Sequence, residues 1–269
     1  ARLGGKVGFI GTIGNDDFGK VIRDRLIQDG VDLTYFKSNP EATTGVAFVA
    51  YFNDGSRKFL YHIRNAASGI VEKNRIVDSY FRGARYLHIN GSAVSINESW
   101  KETIYFAIET ARKNGVKISF DPNIRPEILG VNKVRALCKP IVENASIIFP
   151  SGEEATMLTG KNDPEAACLA LLEMGSDFVV LKKGSQGSTV YSHGSKLNVP
   201  AFEVEEIDPT GAGDCFDAGF LVSLIQKRSL KESARYANAV GALAVTRKGP
   251  MEGAPFPEEV EKLMALNKK

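Results

Sequence analysis

From Ala84 onward the chain alternates short apolar runs with longer amphipathic ones: RYLHIN, a helical pattern over residues 98–113, VKISFD, a second helical pattern over residues 131–143, and ASIIFP. Strands separated by a helix cannot close as tight hairpins, because the helix carries the chain across a face of the sheet. They pair in parallel through crossover connections. This βαβαβ order predicts an α/β domain with a mostly parallel central sheet. Two short helices over residues 153–159 and 164–174 then precede the buried strand DFVVLKK. A hairpin follows, STVYS and KLNVPAF around His193, Gly194 and Ser195. The last third reads as helical over residues 213–227, from 230 to about 248, and again from near Pro257.

The opening segment ARLGGKVGFIGTIG reads as the last turn of a helix, a glycine stop and a strand, and it lacks a starting Met. Residues upstream, with the rest of that helix, are therefore expected, and a removed leader stays open. Residues 14–17 form a turn. Residues 19–28 place Val21, Ile22, Leu26 and Ile27 at helical spacing before Gly30. A β-rich excursion occupies about residues 31–66, where VAFVAYF and RKFLYHI flank the turn cluster Asn53 to Ser56 and suit a hairpin. With no repeat, low-complexity run or linker, residues 1–269 read as one domain.

Composition narrows the function. In 269 residues, 43% hydrophobic content is enough for a substantial core. Subtracting 32 acidic from 34 basic residues leaves +2, too little for a nucleic-acid binder. The cysteines Cys138, Cys168 and Cys215 are isolated and odd in number, which argues against a disulfide framework or a zinc cluster and for a cytoplasmic, reducing setting. His62, His88 and His193 have no metal-ligand spacing. No run approaches the ~20 apolar residues a membrane span needs.

In open parallel sheets ligands sit beyond the carboxyl ends of the strands, so the loops after ISFD, IIFP, VVLKK and EEID are where chemistry is expected. The segment IDPTGAGDCFDAGF is the most informative of these. Strand-like residues lead into Pro209 and Thr210, then Gly211, Ala212 and Gly213, then a helix with Asp214 in its first turn. Unpaired amides and the positive end of the dipole at such a helix start suit a phosphate. Asp214 stands where it can orient an attacking hydroxyl and take its proton. Taken alone, the segment is better read as a glycine-rich turn followed by a dipole-favoured aspartate. A GxGxxG fingerprint fails at Phe216, and no GK pair is followed by Ser or Thr, so a Walker A loop is absent.

DPTGAGDCFDAGF resembles the C-terminal signature of the ribokinase-like, or PfkB, family of carbohydrate kinases, and GGKVGFIGTIGNDDFG, DPNIRP, LKKGSQGS and ANAVGALAVTRKG extend the resemblance along nearly the whole chain. It implies a three-layer sandwich with a β-sheet lid, and ATP-dependent transfer of a phosphoryl group to a sugar hydroxyl. Asp214 is then the catalytic base, with Gly211, Ala212 and Gly213 as the anion hole. Lys183, Gly184, Gly187, Thr210, Asn238 and Gly249 fall on the nucleotide side. Glu154 matches the glutamate that organises Mg²⁺, largely through water. Ser151 departs from the pattern, standing where the family has Asn. Asp208 and Thr210 match positions that hold a monovalent cation in some relatives, which leaves such a cation open.

Asp121 and Arg125 follow the strand VKISF at the ligand edge, and Arg64 and Asn65 follow the hairpin, which makes all four candidates for the sugar; contact of Arg125 with the transferring phosphate, and a turn-capping or arginine-orienting role for Asp121, stay open. The hairpin after residue 44 corresponds to the lid, which excludes water and leaves a homodimer through its outer face open. YHIRNAAS is similar to relatives acting on 2-keto-3-deoxygluconate, but His62 stands where those carry an arginine. A ketohexose and a 2-keto-3-deoxy sugar acid are thus both expected acceptors, with no nucleic-acid or membrane partner. A nucleoside kinase of the same fold and a non-catalytic sugar or nucleotide sensor are the rival readings.

Overall fold

The computed structural model describes residues 1–52, 57–124 and 129–267. Strand β1 (Gly11–Gly14) leads into helix α1 (Asp17–Gln28). The helix begins two residues before the expected start because Asp16 caps it: its carboxylate accepts from Gly19 N at 2.9 Å. The same carboxylate accepts from Thr44 N and Thr44 Oγ1, both at 2.7 Å, tying the helix start to the segment entering the lid. Strand β2 (Phe36–Asn39) runs parallel to β1, so the first part of the excursion belongs beside β1 and outside the lid. The hairpin itself is β3 (Val46–Tyr51) paired with β4 (Arg57–His62), with Val46 opposite His62. The Asn53 to Ser56 turn lies outside the described residues.

The rest of the chain alternates as expected: α2 (Asp78–Phe81), β5 (Tyr86–Asn90), α3 (Gly91–Val94), α4 (Glu98–Lys113), β6 (Lys117–Asp121), α5 (Val131–Val142), β7 (Ile147–Ile148), α6 (Gly152–Thr159), α7 (Pro164–Glu173), β8 (Phe178–Lys182), β9 (Ser188–Ser192), β10 (Ser195–Val199), α8 (Ala212–Ile225), α9 (Leu230–Ala244) and α10 (Pro257–Leu266). Six strands form one sheet in the order β10-β9-β8-β7-β6-β5. Strands β5 to β8 are parallel, and β9 and β10 complete it antiparallel.

Alternation along these strands builds two cores. Ile148, Val179, Leu181 and Tyr191 pack toward α4 to α7, while their neighbours Ile147, Val180 and Val190 pack toward α8 and α9. A sheet buried on both faces is the middle of three layers, which is why its strands read as continuous apolar runs. Phe149 anchors the α8 side with its ring 5.5 Å from that of Phe220, both fully buried. Truncating Phe220 would cost about 3–5 kcal/mol.

One expected strand is missing. Residues around EEID form no ladder, because the amides of Ile207 and Asp208 both bond to Val245 O, just past α9. That helix stops at Ala244, earlier than its apolar pattern indicated. The bonds hold the segment before α8 against the end of α9, so α8 begins at the edge where the parallel strands finish.

Candidate active site

Three parallel strands end in polar residues: β5 in Asn90, β6 in Asp121 and β8 in Lys182. The first turn of α8 meets them. Its position is set by Asp208, which is 5% exposed and accepts from Thr210 N (3.0 Å) and Thr210 Oγ1 (2.7 Å) with one oxygen and from Gly249 N (3.0 Å) with the other. Two of the predicted nucleotide-side residues, Thr210 and Gly249, are thereby clamped together. Gly211 follows with φ +84°, and a Cβ there would lie 2.4 Å from Pro250 O. Only glycine tolerates both the left-handed backbone and that approach.

The N-cap of α8 is Gly211, which has no side chain with which to cap the helix. First-turn amides lack intrahelical acceptors, so this end is chemically suited to an anion. Of the three predicted donors, Ala212 N already bonds to Pro209 O at 3.3 Å, which weakens its claim relative to Gly211 and Gly213. The Asp214 side chain is exposed, and its Oδ1 accepts from Asn90 Nδ2 at 3.4 Å. Asn90 Oδ1 accepts from Ser92 N (3.1 Å) and Ser92 Oγ (2.6 Å), which turns the Asn90 amide nitrogen toward the aspartate.

Behind this turn lies a buried ionic group. Lys182 Nζ is 2.9 Å from Asp121 Oδ2 and 3.3 Å from Asp217 Oδ2. Burial alone would lower the lysine pKa, but the carboxylates of Asp217 and Asp121 outweigh it and hold the ammonium above the ordinary lysine value. Burial drives the Asp217 carboxyl well above the usual carboxylate range, Lys182 opposing and Asp121 adding to the rise. Asp121 is 3% exposed and also accepts from Asn123 N at 3.2 Å, so the structure turns this predicted sugar ligand inward.

The predicted nucleotide loop is a tight turn: Lys183 N donates to Gly187 O and Gly187 N to Gly184 O, each at 2.9 Å. At Gly187 a Cβ would meet Val199 O at 2.2 Å, with φ +84°. Lys183 is half-buried and Gly184 exposed. Asn238 departs from expectation. Its amide donates to Val199 O (3.1 Å) and Pro200 O (3.0 Å) and joins α9 to the end of β10, leaving it 6% exposed.

Glu154 is held on both oxygens, accepting from Ser151 N (2.7 Å) and Ile124 N (3.0 Å), while Ser151 Oγ accepts from Glu154 N (3.3 Å). Ser151 thus makes a capping box for α6. Each carboxylate oxygen keeps lone pairs for water, which fits a Mg²⁺ held through its hydration shell. Among the described residues no group of three or more His, Cys, Asp or Glu side chains is gathered to hold a metal directly.

Arg64 is exposed, and its Nε donates to Ile96 O at 3.1 Å in the turn before α4; Asn65 beside it is exposed too. Arg125 lies outside the described residues. Cys215 is no nucleophile, since burial pushes its thiol up to about 11. Among the described residues no helix is long and apolar enough to cross a membrane.

Asn90, Lys182 and Asp217 escaped the reading of the sequence. Asn90 had a signal, a polar side chain closing a predicted strand at the ligand edge. Asp217 had a weaker one, three residues after Asp214 and so on the same side of α8.

Known proteins resemble this chain along nearly its whole length. A family model described as pfkB family carbohydrate kinase matches residues 1–257. The chain is 33% identical over 277 aligned positions to the Arabidopsis thaliana protein named probable fructokinase-5, covering 100% of this chain and 85% of that one. It is 29% identical to the 2-dehydro-3-deoxygluconokinase of Bacillus subtilis, covering 100% and 84%. Among solved structures, an Escherichia coli protein described as a ribokinase II, with ATP and Mg²⁺ bound, superposes with TM-score 0.93 at 37% identity over 99% of this chain and 85% of its own.

Proposed function

Because this chain belongs to the pfkB family of carbohydrate kinases and phosphorylates a sugar with ATP, we propose that its acceptor is a ketohexose or a 2-keto-3-deoxy sugar acid and that Asp214 is the catalytic base. The observation that carries the reading is the exposed Asp214 carboxylate beside a helix start whose N-cap is Gly211, oriented by Asn90 at the carboxyl edge of a parallel sheet. In this reading the acceptor hydroxyl lies against Asp214, and its oxygen forms a bond to the γ-phosphorus as the bond to the ADP oxygen breaks. The hydroxyl proton passes to Asp214.

A loose phosphoryl-transfer transition state spreads negative charge over the equatorial oxygens. Fixed amides at Gly211 and Gly213, with Ala212 a weaker third donor, would meet that charge without reorganising. Lys183, Gly184 and Gly187 would line the nucleotide tail, and Thr210 and Gly249 would shape its floor through Asp208. Asn238 would act from behind by fixing α9. Mg²⁺, held through water at Glu154, would neutralise phosphate charge. Arg64 and Asn65, with Arg125 beyond the described residues, are the proposed sugar contacts. Phe48 and Leu60 pair across the lid hairpin and are each 60% exposed, which supports a second copy of this chain as the lid's partner.

The test is turnover on a panel of ketohexoses, 2-keto-3-deoxy sugar acids and nucleosides, with Asp214→Asn alongside. Turnover should appear on one of the first two classes and fall by about 10²–10⁴-fold in the variant, with Mg²⁺–ATP binding retained. Nucleoside turnover alone would reject the acceptor class, and an active Asp214→Asn enzyme would reject the base.

A further inference from the structure

Lys182 closes β8 with a side chain only 16% exposed, between carboxylates at 5% (Asp121) and 1% (Asp217). The preceding residues, Phe178 to Leu181, are apolar, and an apolar residue at 182 would extend that core without desolvating a charge. Instead an ammonium joins three elements at one atom: β6 through Asp121, α8 through Asp217, and β8 itself. It also lies directly behind the helix start, since a Cβ on Gly213 would come within 3.5 Å of Nζ. Asp217 sits one turn beyond Asp214, so the bond to Lys182 constrains the turn that carries the base.

We propose that Lys182 is a positioning residue for phosphoryl transfer: it locks Gly213 and Asp214 at the carboxyl edge of β6 and β8 and keeps a fixed positive charge behind the amides that receive the phosphoryl group. The inference rests on the kinase reading of this edge. A buried ion group adds little net stability over well-packed apolar side chains. A misplacement of about 1 Å at a reacting centre, by contrast, costs about a hundredfold in rate. Stability and catalysis should therefore separate on substitution.

Lys182→Met leaves two buried carboxyl groups facing each other, so it is made alone and together with Asp217→Leu, which removes one of them. The double variant should recover the parent's thermal midpoint while kcat stays about thirtyfold or more below it. Its Kd for Mg²⁺–ATP should stay within about threefold, whereas affinity for ADP with aluminium fluoride, a mimic of the transferring group, should fall in step with kcat. Lys182→Arg should restore part of kcat.

A stable double variant with kcat within about threefold of the parent would overturn the proposal. So would equal losses of affinity for ATP and for the fluoride complex, or failure of both Met variants to fold, which would make the ammonium a requirement of folding alone. Asp214→Asn run in parallel separates the failures: if it is inactive while the double variant is fully active, only the role of Lys182 falls, and if it remains active the kinase-base assignment falls instead.

Discussion

Replacing Gly211 by alanine tests the geometry of the helix start, and its cost can be worked out from two contributions. At φ +84° an alanine sits in the left-handed region, which costs about 1–2 kcal/mol. Its Cβ would also stand 2.4 Å from Pro250 O and 3.2 Å from Pro250 C, both backbone atoms. The Asp208 bonds to Thr210 and Gly249 hold the two segments together, so they cannot part freely. Overpacking of this kind adds about 1–3 kcal/mol.

Gly30→Ala isolates the first contribution, because Gly30 has φ +74° and a Cβ there would meet nothing within 4 Å. At roughly 2–4 °C per kcal/mol for a chain of this size, Gly30→Ala should lower Tm by about 2–8 °C and Gly211→Ala by about 4–20 °C. Differential scanning calorimetry reads both. Steady-state assays should show kcat falling at least about tenfold in Gly211→Ala alone, because only that change displaces the turn carrying the amides. Equal Tm shifts for the two variants would refute the close approach of Pro250 and the rigidity argued from it.

Asn90→Ala removes one hydrogen bond that orients the Asp214 carboxylate and should lower kcat about tenfold with little change in KM for ATP, as measured by initial rates. Ser151→Ala removes half of the α6 capping box and should cost about 1 kcal/mol in urea unfolding; Ser151→Asn, which retains a capping side chain, should cost little. Hydrogen bonds from Thr44 N, Thr44 Oγ1 and Gly19 N hold the Asp16 carboxyl below its ordinary 3.8. A carboxylate depressed in the folded state stabilises above its unfolded pKa and loses that contribution as pH falls through the folded value. Unfolding measured from pH 6 down to 2 should thus be less pH-dependent in Asp16→Asn below about pH 4, and an unchanged profile would contradict the Asp16–Thr44 link.

Much of this molecule was legible in order along the chain. The helix over residues 98–113 was expected to its final residue, because sixteen residues with one apolar stripe and an Asn at the start leave little choice. The parallel strands followed from the helices between them, and the edge where the chemistry gathers followed from the parallel strands. Asp214 was readable because glycines, an aspartate and a helix start are local features. β2 was not, since four residues, FKSN, carry no periodicity and become a strand only by lying beside β1. The segment EEID, residues 205–208, misled in the opposite direction: it leads into the Pro209 turn as a strand would, but its Ile207 and Asp208 amides bond to Val245 O.

Local pattern decided which residues reach the carboxyl edge; which way each one turns there was decided by what docks against it. Asp121 and Asn238 were expected to face ligands, and both point inward, one to Lys182 and the other to the carbonyls after β10. The bonds of Lys182 span 61 residues back to Asp121 and 35 forward to Asp217. The physical reason is desolvation. A charged side chain at a strand end stays in water unless packing brings it a partner, and a partner so distant along the chain exists only after the helices have closed over the sheet.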